Sequence, residues 1–406
     1  MSTFEAQGRG RVASLAVLFG LLVLETASAS CATAADEPGG GEVDASTRIP
    51  LDDASADAGD ACDGGPCSTP PDVDCRDVEW CPVKTSHPLR YGLASVWGSG
   101  PNDVWAVGAF GSVTHWDGKT WTTTSVGERS SLRAVWGTGP NDVWTMAAPN
   151  QIFHTTGFVN GAVQWSAASP VIGAPIDQSA IGGAIWGTAR EDVWVLGKSL
   201  PVQRPDDFYL ELGWRTAVID GAPGWAPVVR KQGFEMVRGI WGSGPGDIWI
   251  VGTKSDSIPF VAHSEGVSAA GGGVLVWTEF EVQSLSGLYA VWGSSPDDVW
   301  AVGENGTIRH FSVKSTLGTV VTSPTTENLR GIWGAGPNDV WAVGENGTLL
   351  HYDGAEWRTS SGAFPPGDRP TLYGVWGSSA SDVWAVGSGI IMHFPGFEVD
   401  AQGEDR

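Results

Sequence analysis

Arg133, Arg238 and Arg330, with Tyr289, Tyr373, Glu304 and Glu345, are the side chains in this 406-residue sequence best suited to act together on a ligand. An Arg fork matches a carboxylate with two parallel hydrogen bonds, and a Tyr ring stacks on an apolar face. The same residue types also serve glycoside hydrolysis by a Tyr nucleophile, with Glu as its base and Arg on the substrate carboxylate. A second set is more numerous. His115, His154, His263, His310, His351 and His393 each follow an Asp at a similar distance: Asp103, Asp142, Asp247, Asp298, Asp339 and Asp382, with Asp192 as a seventh that no His follows. A tally of His and Asp suggests a metal site. Whether those residues can meet depends on the elements that carry them. No nucleophile elbow, phosphate loop or HExxH occurs.

The elements are written as a repeat. The phrase L-x-x-V-W-G-x-G-P-N-D-V-W-A-V-G recurs with its first Trp at Trp97, Trp136, Trp186, Trp241, Trp292, Trp333 and Trp376. A second Trp follows eight residues later each time, at Trp105, Trp144, Trp194, Trp249, Trp300, Trp341 and Trp384. Intervals of 39 to 55 residues between copies suit one four-stranded propeller blade each. In the copy that begins at Leu329, strand a is LRGIWG, AGPND turns the chain, and strand b is VWAVG. Glu345-Asn346-Gly347-Thr348 carries an Asn-Gly hairpin signal, strand c is TLLHYDG, and strand d surrounds Trp357. Apolar residues are expected to alternate along every strand, as in sheets stacked face to face. The predicted fold is all-β, a seven-bladed β-propeller of four-stranded blades. The last copy stops at strand c, Ile391 to Phe394, while a spare fourth strand, Glu79-Trp80-Cys81-Pro82-Val83, lies upstream of the first. This N-terminal strand is expected to complete the last blade and close the ring.

A ring of blades demotes most of the chemistry. One His per blade at mid-radius puts neighbouring His roughly 10 Å or more apart, given strands about 4.8 Å apart. Zinc ligands each need about 2 Å. The His are therefore expected to hydrogen-bond the repeat Asp or Trp, and no metal or cofactor is expected. The Asp read as turn caps, and the fourteen phrase Trp, of 22 in the chain, as packing between blades. The second position of strand a differs from blade to blade: Ala94, Arg133, Gly182, Arg238, Tyr289, Arg330 and Tyr373. Strand a lines the central channel, so three Arg and two Tyr should converge at one mouth. The b–c turns open on that face and bring Glu304, Asn305, Glu345 and Asn346. Extra length in blades two to four falls near Pro201–Asp207, Trp214, Ser255–Ile258 and Gly271–Gly273. Two readings stay open: an anion- or glycan-binding mouth, or a channel plugged by Arg–Glu pairs.

The N-terminus reads as an export signal over 1–30. Arg9 and Arg11 precede an apolar run of 13 residues, Val12 to Leu24, too short to span a bilayer as a helix. Ser28-Ala29-Ser30-Cys31 resembles a bacterial lipobox, departing from it at Ser28, where Leu is preferred. Lipidation of Cys31 would leave Cys62, Cys67, Cys75 and Cys81 for two disulfides in an oxidising compartment, with connectivity unreadable. Plain secretion is the alternative. Residues 31–75 form an acidic tether with almost no large apolar residues. Residues 76–397 form the propeller and 398–406 a tail. The net charge of −23 disfavours nucleic acid and anionic membrane surfaces, and a monomer is expected.

From Trp80 to Phe394 the repeat phrase resembles tectonin-type and Asp-box (BNR) propeller repeats. It is most similar to the VWGSGPNDVWAVG repeats of exported lipoproteins common in myxobacteria. The resemblance implies a propeller held to the outer membrane or cell surface by its lipid alone. Tectonin relatives bind glycans and Asp-box relatives include sialidases, although the phrase S-x-D-x-G-x-x-W is not clearly present here. The expected function is a non-enzymatic binding or scaffolding module on the cell envelope, possessing either a glycan or an envelope protein as partner. A sialidase-like glycoside hydrolase is the enzymatic alternative.

Overall fold

Asn346 and Gly347 show how the repeat turns. Both take left-handed backbone, φ 54° and 64°, and the Thr348 N–H closes the turn on the Glu345 carbonyl at 3.0 Å. Asn and Gly tolerate this conformation best, which is why the hairpin forms at this dipeptide. The turn joins Asp339–Gly344 to Leu349–Tyr352, with Leu329–Gly336 on one side and Trp357–Thr359 on the other. The computed structural model describes residues 75–396, apart from 89, 149–150, 160, 169–182, 205–206, 220–221, 231–234, 255–257, 267–275 and 368. The export signal, Cys31, the tether with Cys62 and Cys67, Gly182, Gly271–Gly273 and the tail lie outside the described residues.

Seven such four-stranded antiparallel units follow one another, and no α-helix occurs among the described residues. No described helix is long and apolar enough to cross a membrane. The inner strands begin at Leu93, Ala134, Ala184, Glu235, Leu288, Leu329 and Leu372. The expected alternation fails in the second strand. Val340, Trp341, Ala342 and Val343 are all fully buried, and the other blades repeat this pattern. Each blade has a neighbour on both faces, so its middle strand has no solvent side and reads as a continuous apolar run.

The Trp-Gly dipeptide interlocks the blades. The first Trp of each blade covers the Gly that follows the first Trp of the next: Trp97 on Gly137, Trp136 on Gly187, and so on to Trp333 on Gly377. A methyl group at any of these Gly would come within 2.5 to 2.9 Å of that indole. Trp376 covers Gly98 in the same way, so the seventh junction returns to the first blade.

A second interlock joins outer strands to the preceding blade. Trp121 meets Trp384 edge-on at 5.3 Å, Trp165 meets Trp105 at 5.9 Å, Trp225 meets Trp144 at 6.0 Å, and Trp357 meets Trp300 at 5.6 Å. Such T-shaped pairs align a positive ring edge with a negative ring face. Trp80 completes the series. It is fully buried and meets Trp341 edge-on at 5.1 Å. The N-terminal segment pairs with the last strand, Cys81 opposite His393 and Pro82 opposite Met392. The Val83 N–H extends the pairing to the Ile391 carbonyl at 2.9 Å. The ring therefore closes as the sequence predicts, and a Cys75–Cys81 disulfide lies beside the seam.

Candidate functional site

The repeat Asp is a hub rather than only a turn cap. In the first blade one oxygen of Asp103 accepts from the Trp105 indole at 3.0 Å and pairs with His115 Nε2 at 2.7 Å. The other oxygen accepts from the Ser99 hydroxyl at 2.6 Å. The arrangement recurs around Asp142, Asp247, Asp298 and Asp382. Burial pushes the Asp103, Asp247 and Asp382 carboxyls up. The bonds from His and Ser, joined by Trp in Asp103 and Asp382, outweigh burial and hold each group below its ordinary value. Blade three has no His. Arg215 stands opposite Trp194 instead, its guanidinium 5.5 Å from the indole centroid. Each of the six repeat His is committed to the Asp of its own blade, and the described residues contain no cluster of three or more metal-ligating side chains.

The blade-specific residues do converge. Arg133, Arg238, Tyr289, Arg330 and Tyr373 line one cavity of about 220 Å³ on the channel, to which all seven inner strands contribute. The wall is electrostatically divided. Tyr289 donates its hydroxyl to Glu304 at 2.7 Å, and Glu304 also accepts the Gly287 N–H at 2.9 Å. Glu345 takes the Arg330 guanidinium and the Asn328 amide. Arg330 and Arg238 both lie against the Tyr289 ring, at 4.2 and 5.1 Å from its centroid. Burial and the bond to Glu304 raise the Tyr289 phenol. The Gly287 N–H and the Tyr289 hydroxyl lower Glu304. Blade six pairs its own charges, while the Glu304 carboxylate of blade five is hydrogen-bonded by neutral donors and stabilised by the charges of Arg238 and Arg330 on its neighbours. Arg133 and Arg238 are different: among the described residues neither is ion-paired to a carboxylate, Arg238 acting on Glu304 only as a nearby charge, and the Arg238 Nε is buried without a hydrogen bond.

Two further features surround the mouth. The b–c connection of blade three becomes a long hairpin, Asp192–Arg204 paired with Asp207–Ile219, which fits the extra length read near Pro201–Asp207. In blade one, Ala109-Phe110-Gly111 replaces the Glu-Asn-Gly of blades five and six. Phe110 takes the left-handed backbone of those Asn, φ 56° against 55° and 54°. It is 59% exposed. Its ring lies 5.0 Å from that of Tyr91, which Arg90 covers at 4.9 Å. Comparing strand a positions misses Phe110; aligning the b–c turns would have found it.

A larger groove of about 760 Å³ lies between blades five and six, lined by Trp300, His310, Tyr352 and Trp357. These side chains are the packing between those blades, and Asp298 there is bound to His310. Volume alone therefore does not make it the site; the channel mouth holds the uncommitted charge.

Fold and mouth together define the class: a seven-bladed β-propeller with a cationic sector on its channel. No family model matches the sequence, and neither does any curated protein. Solved structures share the fold. YCF48 bound to D1 peptide is 17% identical with a TM-score of 0.55, matching 78% of this chain and 96% of that one. YCF48 from Cyanidioschyzon merolae is 16% identical at TM-score 0.53, over 78% and 98%. Virginiamycin B lyase from Staphylococcus aureus is 14% identical at TM-score 0.52, over 78% and 99%. At these identities the likeness is one of fold alone.

Proposed function

We propose that the chain is a non-enzymatic binding module of the bacterial cell envelope whose channel mouth takes a carboxylate-bearing sugar. The observation that carries this is the Arg238 guanidinium, buried at its Nε without a partner and laid against Tyr289. An unpaired buried donor costs free energy that an arriving carboxylate recovers. In a chain of net charge −23, two uncommitted Arg at one opening favour an anion there over elsewhere. Tyr373, which lines the same cavity and is exposed, supplies a ring face beside it. Tyr289 and Glu304 are also the pair a glycosidase would use, but the raised phenol opposes its acting as a nucleophile.

On a glycan array, uronic- or sialic-acid glycans are expected to bind and to be lost with Arg238→Ala. Retained signal in that variant, or turnover of a fluorogenic sialoside, would overturn the reading. An envelope-assembly scaffold is the second reading. One structural relative, YCF48, was solved bound to a peptide, and a peptide's terminal carboxylate offers the same chemistry. A co-purifying protein with no glycan signal would favour it.

The lipobox resemblance at Cys31 and the likeness of the repeat phrase to those of myxobacterial lipoproteins support an envelope location, outer membrane or cell surface, through the lipid anchor. Metabolic labelling with a fatty acid is expected to mark the protein and to fail in Cys31→Ala. Label surviving that substitution would remove the anchor.

A further inference from the structure

Phe110 combines two costs. A β-carbon in left-handed backbone is strained, which Asn relieves through its short polar side chain. A largely exposed benzyl ring also gains little from folding, and Phe110 is 59% exposed. Blades five and six place Asn in the same turn at φ 55° and 54°. Strain of this kind collects where a side chain must be presented.

The surroundings specify what is presented. Tyr91 lies behind the ring at 5.0 Å, and Arg90 covers Tyr91 at 4.9 Å. The Tyr91 carbonyl is bonded to the buried His87 ring at 2.9 Å, which fixes the base of the platform. The turn also adjoins the cationic sector. The Leu132 N–H donates to the Gly108 carbonyl at 2.8 Å, so Phe110 is two residues from one partner and Arg133 is next to the other. Their Cα atoms are therefore no more than about 17 Å apart, the span of a short oligosaccharide.

We propose that Phe110 and Tyr91 form a second subsite that stacks a pyranose ring when an acidic oligosaccharide enters the mouth. The carboxylate goes to Arg133 and Arg238, and a neighbouring sugar lays its C–H face on Phe110. This subsite rests on the mouth reading above. An aromatic ring suits the apolar face of a sugar, and Arg90 beside it offers donors to sugar hydroxyls.

Galacturonate and tetragalacturonate separate the two sites in calorimetric titrations. The wild type is expected to bind the tetramer at least tenfold more tightly than the monomer. Phe110→Asn is expected to lose that gain, keep the monomer affinity, and melt about 1–3 °C higher because strain is relieved. Phe110→Trp should keep the gain. Arg238→Ala should lose both ligands. A tetramer gain that survives Phe110→Asn, or a lower melting temperature in that variant, overturns the platform and leaves the mouth intact. Monomer binding that survives Arg238→Ala overturns the mouth. An equal gain for tetraglutamate over glutamate would place a peptide on Phe110 and overturn the sugar assignment. A wild type that binds neither galacturonate overturns both.

Discussion

Deleting residues 76–92 is expected to lower the melting temperature by about 10 °C or more and to make the protein aggregate. The segment supplies Trp80, fully buried against Trp341 and Phe394 at 5.1 and 5.6 Å. Truncating a buried Trp to Ala alone costs about 3–5 kcal/mol, several degrees in a domain of this size. Deletion removes more. The Ser361 N–H loses the Glu79 carboxylate at 2.8 Å, and the Ala363 N–H loses the Trp80 carbonyl at 2.9 Å. The strand Ile390–Phe394 then keeps only one partner, Asp382–Gly387, and becomes an open edge. Unpaired edges recruit other chains. Trp80→Ala should produce a smaller drop without the aggregation. A deletion protein that melts with the wild type in differential scanning calorimetry would show that closure contributes nothing.

The second large effect concerns the Asp hub. Asp247→Ala leaves the Trp249 indole, the His263 ring and the Ser243 hydroxyl without their acceptor, where they now have bonds of 3.2, 2.6 and 2.7 Å. A buried polar group left unsatisfied costs about 1–3 kcal/mol, so a loss of about 3–5 kcal/mol is expected. Asp192→Ala is the internal comparison. Blade three has Arg215 in place of His, so only the Trp194 indole and the Thr188 hydroxyl are orphaned. Its loss should be smaller by about 1–2 kcal/mol. Denaturant unfolding of both variants checks the order. Equal losses would mean that the His bond adds nothing to the hub.

The ring, its blade number and its seam were legible because the same residues return at matching places, and a spare Trp stood upstream. Repetition also pointed to the bonds that tie six His to the repeat Asp. Chain register put Arg133, Arg238, Tyr289, Arg330 and Tyr373 on one channel. It could not tell which carboxylate each would find. Glu304 goes to Tyr289 and Glu345 to Arg330, because those contacts depend on side-chain reach across a turn. The alternation expected in the middle strands failed because both faces are covered. Phe110 is legible only when the b–c turns are aligned, as the Phe that stands where blades five and six have Asn; its left-handed backbone appears only in the folded turn.

The Trp-on-Gly contact between blades has one more consequence. It is head-to-tail, and the junction of Trp376 with Gly98 repeats the other six. No blade is first in the packing, only in the chain. A gene that gains or loses one unit therefore encodes a blade already matched to both neighbours, and the size of the ring is left to how sharply each junction bends. The covalent ends are likewise free to migrate: a circularly permuted chain cut in another outer strand would keep every indole on its glycine.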